Sequence, residues 1–336
     1  MTGAFPRRLV IFVSRRVAKG RKHLVDLKDI QAAQARITGY VRRTPMMEAK
    51  PVKQSVCEAQ TLYLKLESLQ ITGSFKARGA VNKLLSLSSE QVACGLVTAS
   101  GGNHGLGVAY AGWLVKAPVT IYLPHSTPLS KAQKLESWGA RVVFEGEVWD
   151  EANRAAMLAA EREGLNYFHP FADPIVIAGQ GTVGLEIMEE VPGIDVLLVA
   201  IGGGGLISGV SIAARAFNPG IKVIGVEPVG APTLYESLRA GQLVELSQIS
   251  TVANTLAPRL SAPINLEIIR QNVDDIVLVT DEEMREAARW LWFEMGVSAE
   301  LSGAATVAAL LADKVRPEQS QRVCALVCGA GSDGQG

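Results

Sequence analysis

The chain is poor in cysteine. Its 336 residues contain four cysteines, which are too few for a disulfide framework in a chain of this length. No Cys-x-x-Cys pair is present for structural zinc. Cys324 and Cys328 share one apolar run, but two thiols without histidine or carboxylate partners make a poor metal site. We therefore expect free thiols, a reducing cytoplasmic compartment and no metal.

Charge of one sign is not in excess either. The chain has 33 basic and 33 acidic residues, and its formal net charge is zero. A balanced chain has no overall field to hold nucleic acid or an anionic membrane. With 48% hydrophobic residues, it also lacks the composition of a disordered protein. We expect a globular enzyme with a small-molecule partner, no nucleic acid and no membrane.

Residues 1–25 differ from the rest. They contain seven basic residues and no acidic residue before Asp26, a composition that resembles a transit peptide. Their apolar run, Leu9 to Val13, is too short for a signal-peptide core or a membrane span. A flexible extension or an over-long start-codon assignment explains the segment equally well, and we favour a flexible extension over a targeting segment.

Short β-rich runs alternate with helical patterns from about Val25 onwards. Apolar strands that alternate with helices are typical of parallel sheets covered on both faces, so the predicted class is α/β. The readable strands are Gly95 to Thr98, Val119 to Leu123, Val142 to Phe144, Val196 to Ile201, Val223 to Glu227 and Arg322 to Cys328. The readable helices are Ser130 to Trp138, Glu151 to Glu163, Thr182 to Glu190 and Asp281 to Met295.

No repeat, low-complexity tract or proline-rich linker divides the chain. About 310 residues nevertheless exceed what one hydrophobic core usually organises. We expect two lobes, with residues 26–89 and 167–336 in a large domain and residues 90–166 in a small inserted domain. The cleft between two such lobes, at the carboxyl ends of the strands, is where α/β proteins bind ligands.

Four consecutive glycines follow the strand that ends at Ile201 and lead into a helix near Leu206; they are Gly202, Gly203, Gly204 and Gly205. Successive backbone N–H groups in such a turn, with the positive end of a helix, form a phosphate-binding site. The turn is not a P-loop, since no Lys-Ser/Thr follows, and no dinucleotide register fits. A tight turn without a ligand is the alternative interpretation.

A second glycine-rich turn follows the strand that ends at Thr98 and opens another apolar helix. It contains Ser100, Gly101, Gly102, Asn103 and His104. Its free backbone donors suit an anion such as a substrate carboxylate, and the Asn103 side chain can bind a ring hydroxyl. Two anion sites on separate lobes indicate a ligand with two anionic ends.

The turn Ser74-Phe75-Lys76 lies within a longer motif from Leu64 to Ala80. A lone lysine in a polar turn is usually a solvated surface residue, and here the context changes that interpretation. The sequence resembles the threonine/serine dehydratase group of fold-type II pyridoxal-phosphate enzymes, which includes serine racemase. The resemblance runs from about Ala32 to the end of the chain. Besides the three turns above, it rests on Arg43-Thr44-Pro45, Pro124, Lys131, Gly139-Ala140, His169-Pro170-Phe171, Gly179 to Thr182, Gly225 to Pro228, Glu300, Ser302 to Ala304 and Cys328-Gly329.

The resemblance implies a two-lobed fold and a role for each motif. Lys76 would be the catalytic lysine that binds pyridoxal 5'-phosphate as a Schiff base, with Phe75 and Asn103 beside the ring. Gly202 to Gly205, with Leu206, would hold the phosphate, and Cys328 would face the pyridine nitrogen. The turn from Ser100 to His104 would receive the substrate carboxylate, while Ser74 and Glu300 would line the site.

The implied activity is the dehydration and deamination of a β-hydroxy amino acid such as L-threonine or L-serine to a 2-oxo acid and ammonia. Lys76 must act first as a nucleophile and then as a base, and an amine loses its charge readily when it is desolvated. A thiol at the ring nitrogen stabilises a pyridinium less than a carboxylate does. The weaker electron sink favours prompt loss of the β-hydroxyl over transamination.

Some positions depart from the family pattern. Leu301 stands where the family usually has proline, and Ala330-Gly331 replaces a common Gly-Asn. Part of the group binds a metal through the residue equivalent to Glu227 and an aspartate six positions later, but that later position is Thr233. A metal site at Glu227 is therefore doubtful, and a larger β-hydroxy amino acid stays open as the substrate.

Other functions remain to be weighed. A racemase on this scaffold needs an acid–base group on the opposite cofactor face, which related racemases place directly after the first serine of the asparagine turn; here that position is Gly101. A nicotinamide-dependent dehydrogenase would explain the glycine turn and Glu227 but not the Lys76 turn. A non-catalytic binding protein is least expected. The resemblance also suggests a homodimer or homotetramer.

Overall fold

The computed structural model describes residues 24–331. The predicted basic segment 1–25 therefore lies outside the described residues, except for its last two. Of these, Val25 is buried in a small apolar cluster with Ile30. Among the described residues, no helix combines the length and apolarity needed to cross a lipid bilayer.

The strands, numbered along the chain, are β1 (Met46–Glu48), β2 (Thr61–Leu66), β3 (Leu96–Ala99), β4 (Val119–Leu123), β5 (Arg141–Phe144), β6 (Asn166–Tyr167), β7 (Val196–Ala200), β8 (Lys222–Pro228), β9 (Asp275–Val279) and β10 (Arg322–Val327). The helices are α1 (Leu27–Ile37), α2 (Lys76–Leu84), α3 (Ser89–Cys94), α4 (Asn103–Val115), α5 (Leu129–Glu136), α6 (Trp149–Glu163), α7 (Pro174–Glu190), α8 (Gly205–Phe217), α9 (Thr233–Ala240), α10 (Pro263–Asn272), α11 (Asp281–Met295) and α12 (Leu301–Leu311). Short 3-10 turns lie at Glu67–Leu69, Ile71–Gly73 and Asn254–Leu256.

Two sheets organise the molecule. The larger has the strand order β1-β2-β10-β7-β8-β9, and its strands are parallel except for β1, which pairs with β2 in antiparallel fashion. The smaller has the order β5-β4-β3-β6 and is parallel throughout. Helices cover both faces of a parallel sheet, which explains why all five residues of β7 are apolar and buried. The predicted α/β class with two mostly parallel sheets is confirmed.

Helix α2 joins the cores of the two sheets. Its residues Ala80 and Leu84 belong to the apolar core of the smaller sheet, together with Val108 of α4 and Ile121 of β4. The opposite face of α2 packs closely on α7, where a Cβ on Gly179 would lie 2.7 Å from Cα of Gly79. The first residue of α2 therefore lies between the two sheets.

The loops predicted to bind ligands all follow the carboxyl ends of parallel strands. The turn at Ser100 follows β3, the four glycines follow β7, and Cys328 follows β10. Because parallel strands end at the same edge of a sheet, the last two loops are neighbours. The first loop reaches them from the smaller sheet. The carboxyl ends of parallel strands are where α/β folds bind ligands.

Candidate active site

Lys76 is the first residue of α2. Its Nζ atom donates a hydrogen bond to the carbonyl oxygen of Pro170 at 2.7 Å and lies 5.1 Å from the centre of the Phe75 ring. Burial lowers the pKa of Lys76 to about 8, although the nearby Cys328 and Glu300 act in the opposite direction. An amine with this pKa is partly uncharged at neutral pH and can attack a carbonyl group.

The segment before Lys76 extends the larger sheet beyond the end of β10. Ser74 forms an antiparallel bridge with Gly329, and the Phe75 N–H donates to the carbonyl oxygen of Cys328 at 3.3 Å. The Ala330 N–H donates to the carbonyl oxygen of Gly73 at 2.8 Å. These backbone contacts place Lys76 and Cys328, which are far apart in sequence, on adjacent segments.

Four charged side chains meet in the interior beneath α2. Arg78 donates to the carboxylates of both Glu67 and Glu186, with its shortest contact to each at 2.7 Å, and Lys65 donates to Glu186 at 2.7 Å. All four residues are buried. Two positive and two negative groups cancel, and the network fixes α2, and with it Lys76, to β2 and α7.

The four glycines form a loop without side chains that packs against Phe171. A Cβ on Gly203 would lie 2.2 Å from the Phe171 ring, and one on Gly205 would lie 2.9 Å from the Phe171 backbone. Gly204 has a φ of +93° and precedes α8, which has no side-chain cap. The N–H groups in the first turn of a helix lack partners within it. Together with the loop, they offer unobstructed donors to a phosphate.

Two side chains from a segment distant in sequence hydrogen-bond to the backbone of this loop. Asn265 Nδ2 and Ser261 Oγ both donate to the carbonyl oxygen of Gly203, at 2.8 and 2.9 Å. Asn265 also donates to the carbonyl oxygen of Phe171 at 3.1 Å. Sequence reasoning missed Asn265 and Ser261, because neither belongs to a local motif and both reach the loop from a distant segment.

The second glycine-rich turn begins α4. Its N-cap residue, Gly102, gives the helix no side-chain cap, and its N–H donates to Ser100 Oγ at 3.3 Å. Gly105 must be glycine, since a Cβ there would lie 1.9 Å from the carbonyl oxygen of Ser100. The backbone N–H groups of this first turn thus offer a second anion site.

The imidazole of His104 is buried. Its Nε2 atom lies 3.0 Å from the carbonyl oxygen of Phe168. Burial and the charge of Lys76 hold the pKa of His104 well below its ordinary value, so the ring is neutral. A ligand at this turn is left with the backbone N–H of His104.

Asn103, Glu300 and Cys328 come together beside Lys76. Asn103 Nδ2 donates to Glu300 Oε1 at 2.7 Å, and Ser302 Oγ donates to the same oxygen. The Cys328 thiol is buried and lies 3.4 Å from the carbonyl oxygen of Ser302. Burial, and then the charge of Glu300, raise the pKa of Cys328, so it is a neutral thiol.

Glu227 lies apart from this group and caps α9. Its carboxylate accepts from the N–H groups of Leu234 and Tyr235 at 2.9 and 2.8 Å, although burial raises its pKa to about 8. Within residues 24–331, no group of three or more His, Cys, Asp and Glu side chains is arranged to hold a metal ion. The Glu227 carboxyl group is thus engaged by the backbone of α9.

This geometry defines an α/β enzyme with a weakly charged lysine between two anion sites and a neutral thiol nearby. A family model described as pyridoxal-phosphate dependent enzyme matches residues 37–329. The chain therefore belongs to the family of pyridoxal-phosphate-dependent enzymes, as the resemblance predicted, and its cofactor is pyridoxal phosphate.

Individual relatives agree with this family. An L-threonine ammonia-lyase of Thermotoga maritima is 43% identical over 288 residues, which cover 86% of this chain and 71% of the relative. A maize serine racemase structure superposes with a TM-score of 0.87 at 35% identity, covering 92% of this chain and 94% of that one. A processed threonine deaminase isoform from Solanum lycopersicum gives a TM-score of 0.83 at 33% identity, covering 94% of this chain and 90% of that one. These neighbours share fold type II.

The residues present fit this cofactor. The glycine loop packs so closely on Phe171 and Thr255 that no Cβ fits at Gly202, Gly203 or Gly205, which leaves backbone groups to meet a phosphate. Lys76 has the lowered pKa that an amine needs to condense with an aldehyde. The neutral thiol of Cys328 suits a pyridine nitrogen that carries no full charge.

Proposed function

We propose that this chain is an ammonia-lyase that converts L-threonine or L-serine into a 2-oxo acid and ammonia. The single observation that carries the proposal is Lys76 itself, a lysine with a pKa of about 8 held between a glycine loop and a second helix N-terminus. The names of the relatives support the reaction, since the T. maritima protein is called an L-threonine ammonia-lyase.

Each predicted residue has a role in this proposal. The N–H groups of residues 202–206 bind the cofactor phosphate, Phe75 and Asn103 flank its ring, and Cys328 faces the ring nitrogen. The backbone of residues 100–104 binds the substrate carboxylate, while Ser74 and Glu300 line the cleft. The support is geometric, because Lys76, Asn103, Glu300 and Cys328 come from four separate segments and meet at one place.

Pyridoxal phosphate supplies an electron-withdrawing ring that accepts the electron pair left when Cα loses its proton. Lys76 takes that proton on Nζ, because burial lowers its pKa to about 8 and so leaves part of the amine unprotonated at neutral pH. The carboxylate site at α4 fixes the substrate so that its Cα–H bond faces Lys76. The β-hydroxyl leaves as water by taking up one proton, which balances the proton removed from Cα. Addition of water with release of ammonia then gives 2-oxobutanoate from threonine and pyruvate from serine.

A racemase is the second candidate, because the superposed maize structure is a serine racemase. Delivery of a proton to the face opposite Lys76 requires a side chain with a transferable proton, and Gly101 has none. Its φ is not in the left-handed region, but a Cβ there would lie 3.1 Å from Thr127 and 3.3 Å from Leu123. The space is tight for any side chain, so we favour the lyase.

We also propose a cytoplasmic enzyme that forms a homodimer or homotetramer. All four cysteines are free thiols, which suits a reducing compartment. Exposed apolar side chains at Val52 and Phe293 lie near each other, since Val52 N–H donates to Glu294, and an interface between copies would cover them. We keep the domain boundaries 26–89 with 167–336 and 90–166, which the four-stranded sheet from Leu96 to Tyr167 supports.

The test of substrate is the release of 2-oxo acid from a panel of amino acids. L- and D-serine, L- and D-threonine and bulkier β-hydroxy amino acids are incubated with the purified enzyme and cofactor. We expect L-threonine or L-serine to give the largest kcat/KM. A clear preference for a bulkier substrate would replace threonine and serine but keep the lyase, whereas no 2-oxo acid from any substrate would contradict the proposal.

A further inference from the structure

The Glu300 carboxylate bridges the two sides of the site. Glu300 is the N-cap of α12, which packs on the larger sheet. Its Oε1 atom accepts a hydrogen bond from Asn103 Nδ2 at 2.7 Å, and Asn103 is the first residue of α4, which packs in the core of the smaller sheet. One hydrogen bond therefore connects segments that are 197 residues apart in the chain.

The same oxygen determines which way the Asn103 amide faces. Ser302 Oγ and, more weakly at 3.5 Å, Thr255 Oγ1 also donate to it. Because Asn103 Nδ2 donates to this oxygen at 2.7 Å, the NH2 group of Asn103 faces Glu300. That hydrogen bond uses one N–H of the NH2 group, so the second N–H can donate to an acceptor in the cleft.

The surrounding backbone is built to admit this carboxylate. A Cβ on Gly329 would lie 2.3 Å from Glu300 Oε1, and a Cβ on Gly331 would lie 2.7 Å from Glu300 Cβ. Gly303 is similarly close to Gly329, with 2.3 Å between its would-be Cβ and the Gly329 carbonyl oxygen. None of these glycines has a positive φ, so each provides room and not an unusual backbone conformation.

We propose that Glu300 is a positioning residue that orients the Asn103 amide towards the cofactor ring and ties the first turn of α4 to the start of α12. This inference rests on the proposed contact between Asn103 and the cofactor ring, and it is independent of which amino acid is the substrate. It adds a function to Glu300, which the sequence places only among the residues that line the cleft.

Two readouts test the proposal apart from turnover. The first is the dissociation constant of the cofactor, measured by quenching of tryptophan fluorescence. The second is hydrogen exchange of the amides from Leu106 to Val108 in the cofactor-free protein, because these amides form the first hydrogen-bonded turn of α4. Thr255→Val, which removes the weakest donor to Glu300 and leaves the others, is the matched control.

Glu300→Ala should weaken cofactor binding by about tenfold, equivalent to ~1.4 kcal/mol, and should speed exchange in the first turn of α4. Glu300→Gln should retain most of the affinity, since its amide oxygen can accept the same bond. Asn103→Ala should have a similar effect to Glu300→Ala, and the double alanine variant should be no worse than either single one. Two results would overturn the proposal. One is a double alanine variant whose loss of cofactor affinity is the product of the two single losses, and the other is a Glu300→Gln variant that binds the cofactor as weakly as Glu300→Ala.

If the alanine variants fail to fold, the proposal can be tested by exchanging the hydrogen-bond donor and acceptor between residues 103 and 300. Asn103→Asp places two carboxylates against each other and should speed exchange. Adding Glu300→Gln should restore protection, because the introduced glutamine can then donate to the introduced aspartate. Cofactor affinity should stay low in the swap, since an aspartate cannot donate to the ring. Restored affinity would refute the proposed contact of Asn103 with the ring, whereas unrestored protection would refute the bridge itself.

Discussion

The lowered pKa of Lys76 can be measured in the absence of substrate. Burial lowers its pKa to about 8, and only the neutral amine can condense with the cofactor aldehyde. Raising the pH through 8 therefore removes the proton from Lys76 and favours its condensation with the cofactor aldehyde.

We predict that the rate at which the cofactor-free protein incorporates pyridoxal phosphate rises with pH with a midpoint near 8 and levels off above that pH. Stopped-flow absorbance at different pH values gives this profile. Lys76→Ala, which can bind the cofactor without a covalent bond, should not show the rise. A midpoint near 10.5, the ordinary value for lysine, would contradict the assignment.

The thiol of Cys328 offers a second test at the residue scale. Replacement by serine should preserve elimination, because serine is also a neutral group. Replacement by aspartate should hold a proton on the ring nitrogen, strengthen the ring as an electron acceptor and increase transamination relative to elimination. The ratio of pyridoxamine phosphate formed to 2-oxo acid released measures this partition.

Cys324→Ser is the control for Cys328. Cys324 is a buried thiol in β10, four residues before Cys328, which follows that strand, so its replacement should leave the partition unchanged. An unchanged partition in Cys328→Asp as well would show that residue 328 does not face the ring nitrogen.

At the scale of elements, α2 depends on the buried charges beneath it. Removing Arg78 leaves the Glu67 and Glu186 carboxylates without their main partner in the interior. Breaking a buried ion pair by deleting one partner typically costs about 3–5 kcal/mol. We predict a loss of stability of this size for Arg78→Met, measured by urea unfolding of the cofactor-free protein.

Arg43→Met is the matched control for Arg78, because Arg43 pairs with Glu189 at the surface, where its side chain is 51% exposed. Exposed pairs contribute about 0–1 kcal/mol, so this variant should unfold almost like the unmodified protein. Equal effects of the two substitutions would contradict a structural role for the buried network.

Helix α7 shows where sequence patterns stop being informative. The sequence predicts a helix from Thr182, but α7 begins at Pro174. All its residues from Val176 to Met188 are buried, so no polar face marks the helix. Gly179 and Gly181 suggest a turn, although they allow close packing against α2, α1 and α8. The pair Asp173-Pro174, with the Asp173 side chain capping the helix, was the available signal. By contrast, the capping box of Thr280 and Glu283 correctly predicted the start of α11.

The site was predictable where chemistry follows directly from local sequence. Glycine-rich turns after β3 and β7 could be read from the chain, because a strand, a run of glycines and a helix occur in order. Long-range partners could not be read, since the bonds of Pro170 to Lys76 and of Glu300 to Asn103 depend on how distant segments pack. Asn265, which supports the glycine loop, has no local signal either.

On the scale of the whole molecule, both sheets contribute to one cleft. The smaller sheet provides the turn at Ser100 and the larger sheet provides the glycine loop, Cys328 and Glu300. Helix α2 lies between them, so the reactive lysine is fixed by contacts to both sides. A substrate bound across the cleft would have its carboxylate on one sheet and its reacting atoms beside the other.

The most direct measurement of the proposed activity follows L-serine, the purified protein and added cofactor over time. Pyruvate, ammonia and D-serine are quantified in the same samples. We predict that pyruvate and ammonia appear in equal amounts, that D-serine stays a minor product, and that Lys76→Ala gives none of the three. D-serine that appears faster than pyruvate, or 2-oxo acid release that survives the loss of Lys76, would contradict an ammonia-lyase acting through this lysine.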